Sequence, residues 1–286
     1  MNISLDCISC IVSNFLKLLE TGVLHENARE QAMRRLLVLL SKADYQQSPP
    51  VLGREIHRMI RQELNNPDPY REIKNKYNRM ILDMYSDFEK MVIATEDPFD
   101  TAMRLAIAGN VIDFGSQHQL DVLETINRVI NAHITIDDSQ KLKEDLKSAK
   151  SLLYIGDNCG EIVLDKLFIK HIKVPNTYFA VRSGPVINDI TIDDALMVGM
   201  DKIAKIITTG DNAPGAVWES TSNEFKQAFN KADVIISKGQ GNLEGLIDIP
   251  GNIYFLFVSK CDLIAKRVGA IKGDFIVKHG STSIEQ

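Results

Sequence analysis

The chemistry-bearing residues of this chain collect in loops that each follow a short apolar run. Gly156-Asp157-Asn158-Cys159-Gly160-Glu161 comes after Leu152 to Ile155 and before the helix-like Ile162 to Phe168. A carboxylate, a carboxamide and a second carboxylate thus stand on a tight turn that opens a helix, the place where ligands of open α/β sheets bind. Hard oxygen donors there suit a divalent cation. A second reading is that Asp157 and Asn158 cap the helix that follows. Four more loops share the pattern: Arg182-Ser183-Gly184-Pro185, Thr209-Gly210-Asp211-Asn212, Lys238-Gly239-Gln240-Gly241-Asn242 and Lys260-Cys261-Asp262. If the preceding runs are parallel strands, all five loops meet at one sheet edge. Asp and Asn would then supply metal oxygens, while Lys238, Lys260 and glycine amides supply positive potential for an anion. Read separately, each loop is ordinary turn chemistry, since Gly, Asn and Asp are the commonest turn residues.

Two familiar phosphate motifs are absent. The Gly-Gln-Gly-Asn run after Lys238 could form an amide nest but lacks the Walker spacing, and no Gly-x-Gly-x-x-Gly follows the first strand-like run. Nearer the start, Asn110 and Asp113 lie three apart in Ala108-Gly109-Asn110-Val111-Ile112-Asp113. They either reach into a crevice or end a helix before Gly115. Cys7 and Cys10 also lie three apart, and three uses are open to them: a soft metal site, a redox pair or simple packing. Cys261 is a third metal ligand only if folding brings it near. A thioredoxin-like role ranks lowest, because the pair sits in a helical setting rather than a βαβ one.

The elements that position these groups follow from periodicity. From Ser4 to about Lys147 apolar residues recur at three and four, as in Ile8, Ile11, Val12, Phe15 and in Met33, Leu36, Leu37, Leu40. Breaks at Thr21-Gly22, 47–50, 65–69, 96–98 and Gly115 give about six helices. Beyond Ser148 six short runs alternate with helical segments: 152–155, 177–181, 204–208, 234–237, 254–258 and 275–277. The expected fold class is α/β, an N-terminal all-helical region (1–147) packed on a C-terminal α/β domain (148–286) with a mostly parallel sheet.

Composition narrows the function classes. The chain has 286 residues, 44% hydrophobic and 25% charged, enough for a sizeable core in one large or two modest domains. A formal charge of −5 and a pI near 5.7 argue against a nucleic-acid surface. No apolar run approaches the roughly 18 residues of a membrane span. With no charged leader before an apolar stretch, the expected location is the cytoplasm. Four cysteines are too few for a disulfide scaffold in a chain of this length.

Taken together, Cys7-Ile8-Ser9-Cys10, Ala108 to Asp113, Gly156 to Glu161, Pro185-Val186-Ile187-Asn188-Asp189-Ile190-Thr191, Lys238 to Glu244 and Lys260-Cys261 resemble the damage-control phosphatase (ARMT1-like) family, also called domain of unknown function 89. The resemblance spans nearly the whole chain, and its Cys-x-x-Cys is similar to that of the prokaryotic and archaeal subfamily. It implies a metal-dependent phosphatase of small phosphorylated metabolites, sugar phosphates or damaged phosphorylated cofactors, using manganese, nickel, cobalt or magnesium. By that analogy Asp157, Asn158 and Asp189 are metal ligands and the catalytic set. Lys238, Gly239, Asn242, Glu244 and Lys260 surround the substrate phosphate, with Asn110, Asp113 and Glu161 lining the same pocket. The family usually carries a small residue where Cys159 stands, so that thiol is given no role.

In such a site the ion would neutralise charge and lower the pKa of a water, which attacks phosphorus while the lysines offset charge on the nonbridging oxygens. Attack by Asp157 itself is chemically available, but a metal-bound carboxylate is a poor nucleophile and water is preferred. The alternative function is a non-catalytic binder of sugar phosphates or nucleotides with the same loops. Dependence on a metal separates the two. Neither the substrate nor the oligomeric state follows from the sequence.

Overall fold

The computed structural model describes residues 1–20, 26–110 and 119–280. Seven helices come first: α1 (Leu5–Glu20), α2 (Glu26–Lys42), α3 (Pro49–Leu64), α4 (Arg71–Asp83), α5 (Tyr85–Ile93), α6 (Pro98–Ala108) and α7 (Gln119–Ile130). There follow β1 (Ile134–Asp137), α8 (Ser139–Ser148), β2 (Ser151–Ile155), α9 (Glu161–Ile172), β3 (Asn176–Val181), α10 (Ile192–Met197), β4 (Lys205–Thr208) and α11 (Asn223–Lys231). The chain continues through β5 (Val234–Lys238), α12 (Gln240–Leu246), β6 (Ile253–Val258), α13 (Asp262–Val268) and β7 (Phe275–His279). This is the expected α/β architecture, and all six strands anticipated after Ser148 are present.

One expectation changes. Ile134-Thr135-Ile136-Asp137, read as part of the helical stretch, is an edge strand paired in parallel with β7. Four residues are too short to interrupt a helical periodicity, yet β-branched alternation suits a free sheet edge once β7 supplies one. The breaks at Thr21-Gly22 and Gly115, and Asp113, lie outside the described residues.

The sheet order is β1-β7-β6-β5-β2-β3-β4, parallel throughout except for β6 with β7. Alternation sorts its side chains onto two faces. Leu152, Tyr154, Val234, Ile236, Tyr254 and Leu256 join a core with α6, α7 and α9. Leu153, Ile155, Ile235, Phe255 and Phe257 pack on the other face with Phe225, Phe229, Leu243 and Ile264. Helices α1 to α3 share a separate core of Phe15, Leu36, Leu40, Leu52, Ile56 and Ile60.

Helix starts follow local rules. Asp97 accepts hydrogen bonds from the amides of Phe99 and Asp100 ahead of Pro98, Ser222 accepts from Phe225, and Thr191 with Asp194 forms a capping box. The chain leaves β2 for β3 and β4 on one side, while β5 and β6 lie on the other. The carboxyl ends of β2 and β5 therefore flank a topological switch point, where side-chain access is greatest.

Candidate active site

Residues from several elements converge at that switch point. The turn after β2 is zipped to the segment before α10: Asn158 and Asp189 form an isolated antiparallel bridge, the Cys159 amide donates to Asn188 O at 2.9 Å, and the Ile190 amide donates to Asp157 O at 3.0 Å. Asp157, Asn158 and Asp189 are thus held together by backbone pairing. The Gly160 amide donates to Asn78 Oδ1 at 2.6 Å, which ties the turn to α4.

The side chains form a nearly closed polar cluster. Asp157 Oδ2 accepts from Asn158 Nδ2 at 2.6 Å and from Asn110 Nδ2 at 2.9 Å; Glu161 Oε2 accepts from the same two amides at 3.2 and 3.1 Å. Asn110 Oδ1 is buried without a partner. Arg182 Nε donates to Asp189 Oδ2 at 2.7 Å, and its Nη2 lies 3.7 Å from Asp157 Oδ1. Two glycines permit this closeness. A Cβ on Gly239, whose φ is +78°, would stand 2.0 Å from Asp157 Oδ2, and one on Gly109 would stand 2.9 Å from the Glu161 Cα.

Neither Asp157 nor Asn158 caps α9, which has no side-chain cap. Asn110 likewise lies past the end of α6, and its carboxamide donates to Asp157 and Glu161. Asp113, the other half of that pair, is outside the described residues.

The expected phosphate-binding group divides. Lys260 is exposed at the end of β6, its amide bonded to Gln240 Oε1, and its charge draws down the carboxyls of Asp157 and Asp189. Lys238 is instead fully buried. Its ammonium donates to Glu161 Oε1 at 2.5 Å, Asp165 Oδ1 at 2.7 Å and Ala106 O at 2.9 Å, which uses all three of its N–H groups. No donor is left for a phosphate. The Gly239 amide pairs with Leu256 O at 3.1 Å, and Gln240 already begins α12, so Gly239 contributes nothing to an amide nest. Asn242 is also buried and committed, accepting from Ala216 N and donating to Gly156 O and Lys238 O. It braces the ends of β2 and β5 rather than facing a ligand. Glu244, one turn along α12, lines a separate cleft with Met1, Arg54 and Asp248. In each case a local motif reading missed that the fold turns the side chain inward or away.

Burial and mutual repulsion perturb the carboxylates. Burial, with Glu161 and Asp189 adding, pushes the Asp157 carboxyl up to about 7. Asp189 is raised by burial against the pull of Arg182. Asp165 is pushed up to about 7 by burial despite Lys238, and Tyr154 donates to its Oδ1 at 2.6 Å. Burial works to lower the Lys238 ammonium, but Asp165 and Glu161 override it and hold it above its ordinary value.

Sequence reasoning gave no role to Arg182, Asp165 or Asn78. Asp165 carried a signal, a lone acid inside the apolar stretch Ile162 to Phe168. Arg182 stood in a noted strand-end loop, but only the pairing of that loop with Asp157 gives it a partner.

The fit to a divalent cation can be judged from the donors. Four buried carboxyl groups, Asp157, Glu161, Asp165 and Asp189, face two buried cations, Lys238 and Arg182, a surplus of two acids over fixed cations that burial balances in part by protonating Asp157 and Asp165. The adjoining Lys74–Asp194 pair, at 2.9 Å, leaves that balance unchanged. A divalent ion offsets such a surplus, and aspartate and carboxamide oxygens suit hard cations. Among the described residues no three His, Cys, Asp or Glu side chains form a cage, so the set relies on Asn158, and the orphaned Asn110 oxygen adds a further donor.

Cys7 is half-buried near Ser4, and Cys10 is exposed beside Asn14. All four cysteines are free thiols. Burial pushes the Cys159 thiol well up, beside Asp194 and Lys74. No helix among the described residues is long and apolar enough to cross a membrane.

Comparison with known proteins agrees with the fold. The chain is 35% identical over 283 residues to a damage-control phosphatase of Pyrococcus horikoshii, covering 96% of this chain and 97% of that protein. It is 33% identical to a damage-control phosphatase of Archaeoglobus fulgidus, covering 97% and 99%. A more distant likeness, 28% over 48% of this chain and 19% of the other, is to a 4'-phosphopantetheine phosphatase of Mus musculus. The crystal structure of a DUF89 family protein from Pyrococcus horikoshii superposes with a TM-score of 0.91 at 33% identity, covering 98% of this chain and all of that one. The damage-control phosphatase ARMT1-like domain matches residues 3–276, and the chain belongs to that family.

Proposed function

We propose that this protein is a metal-dependent phosphatase that hydrolyses small phosphorylated metabolites, sugar phosphates or damaged phosphorylated cofactors. Asp157, Asn158 and Asp189 hold the divalent ion, which is manganese, nickel, cobalt or magnesium. The observation that carries this reading is the surplus of two buried carboxyl groups over buried cations at the switch point, beside the exposed Lys260 and in a chain whose relatives are named phosphatases. Bound there, the ion supplies charge neutralisation for the ester and makes a water acidic enough to become a nucleophile.

The protein groups do the rest. Lys260 stands at the rim with its ammonium unpaired among the described residues, placed to offset charge on the nonbridging oxygens. Glu161, locked by Lys238 and the two amides, fixes the orientation of Asn158 and Asn110 around Asp157. Burial excludes bulk water and strengthens each of these interactions.

The test is a panel of sugar phosphates and phosphorylated cofactors, 4'-phosphopantetheine among them, assayed with each ion and in EDTA. Phosphate release should vanish in EDTA, return with one of the four ions, and be abolished by Asp157→Ala. Full turnover in EDTA, or normal hydrolysis by pure Asp157→Ala protein, would refute the proposal. Ester binding in EDTA with no release under any condition would mark a binding protein instead. Labelled phosphate trapped on the protein during turnover would replace water attack with an aspartyl-phosphate route.

A further inference from the structure

We propose that Arg182 is a resident counter-cation of the ion site: it holds Asp157 and Asp189 together in the metal-free protein and competes with the divalent ion for their charge. The inference rests on the metal reading above. Arg182 is 1% exposed, and of its guanidinium nitrogens only Nε makes a hydrogen bond among the described residues, to Asp189 Oδ2 at 2.7 Å. Nη1 and Nη2 are both buried without a partner. A guanidinium used for structural bracing normally fills its fork with two parallel bonds to one carboxylate or with backbone carbonyls. Here the contact to Asp157 Oδ1 is 3.7 Å, a charge contact without a hydrogen bond.

Leaving donors buried and unpaired is unfavourable. The arrangement persists because the guanidinium faces two carboxylates whose other neighbour, Glu161, is also negative and has its own cation in Lys238. Arg182 is therefore the cation assigned to Asp157 and Asp189, as Lys238 is to Glu161 and Asp165. A divalent ion shared by the same two aspartates meets Arg182 as a like charge. The residue is a positioning group that sets metal affinity, distinct from the ligands and from any contact with substrate.

Arg182→Gln keeps an N–H for Asp189 and removes the charge, whereas Arg182→Lys keeps the charge and removes the fork. The full chain is stripped with EDTA, desalted and titrated with MnCl2 by calorimetry, and thermal unfolding is followed with and without Mn2+. Arg182→Gln should bind Mn2+ about tenfold more tightly than the parent, with a lower metal-free Tm and a larger rise on adding Mn2+. Arg182→Lys should bind within about threefold of the parent. Parental or weaker Mn2+ binding by folded Arg182→Gln would overturn the inference while leaving the metal site standing. Should that variant fold only with Mn2+, its rate of Mn2+ loss to EDTA is compared with the parent's; slower loss supports the inference and faster loss overturns it. No Mn2+ binding by the parent would remove the metal reading and this inference with it.

Discussion

The two lysines of the strand-end loops give the sharpest test of how the site is built. Replacing Lys238 by Met removes the cation that pairs with both Glu161 and Asp165, which stand 2.5 and 2.7 Å from its ammonium with all three side chains wholly buried. Breaking a buried ion pair from one side costs about 3–5 kcal/mol, because the abandoned charge has no water to replace its partner. With a urea slope near 3 kcal/mol/M, that is a midpoint lower by about 1 M or more. Asp165, which burial already pushes up, would be protonated in the folded state and ionised in the unfolded one, so the loss should shrink as the pH falls. Lys260→Ala changes an exposed side chain, and its stability should stay within about 0.5 kcal/mol of the parent. The assay is urea unfolding by far-UV circular dichroism at pH 7.5 and pH 5.5, beside KM and kcat on the best substrate of the panel. A parental midpoint for Lys238→Met with only a raised KM would refute the structural role given to Lys238 and return it to the phosphate.

Other consequences are equally direct. Gly239→Ala puts a methyl 2.0 Å from Asp157 Oδ2 at a φ of +78°, so the backbone strain of about 1–3 kcal/mol comes with a displaced carboxylate; Mn2+ binding by calorimetry should fall at least about tenfold. Asn242→Ala strips partners from Ala216 N, Gly156 O and Lys238 O, and should lower stability by about 1–3 kcal/mol in urea unfolding; an unchanged midpoint would contradict its bracing role. The Asp157 and Asp165 carboxyls sit at about 7 when folded against 3.8 ordinarily, so the folded metal-free protein holds protons that the unfolded chain releases. Their contribution to stability is complete below about pH 4 and is lost as pH rises to about 7. Mn2+ competes with the Asp157 proton and should bind more tightly as pH rises through about 7, which calorimetry at pH 6 and pH 8 would show.

Much of this was legible in the chain itself. The strand runs of the second half, their polar ends, the helical periodicity before them and the family resemblance are local properties, because alternation, turn residues and motif spacing act over a few neighbours. That Asp157 and Asn158 share a sheet edge with the other strand-end loops also follows once parallel strands are assumed, whereas Asp189 joined them only through the family resemblance. What the tertiary structure decided is how those ends face. Lys238 is in phase with Val234 and Ile236, so the pleat turns it into the core beneath α6 and α9, where Glu161 and Asp165 meet it 77 and 73 residues away in sequence. Lys260, beyond the last pleated residue of β6, escapes that alternation and stays exposed. Arg182 and Asn110 acquire their partners only when the segment before α10 and the end of α6 pack against the Asp157 turn. β1 becomes a strand only because β7 offers it an edge. Spacing along the chain sets which groups are available, while burial and long-range pairing set which of them carry charge toward a ligand.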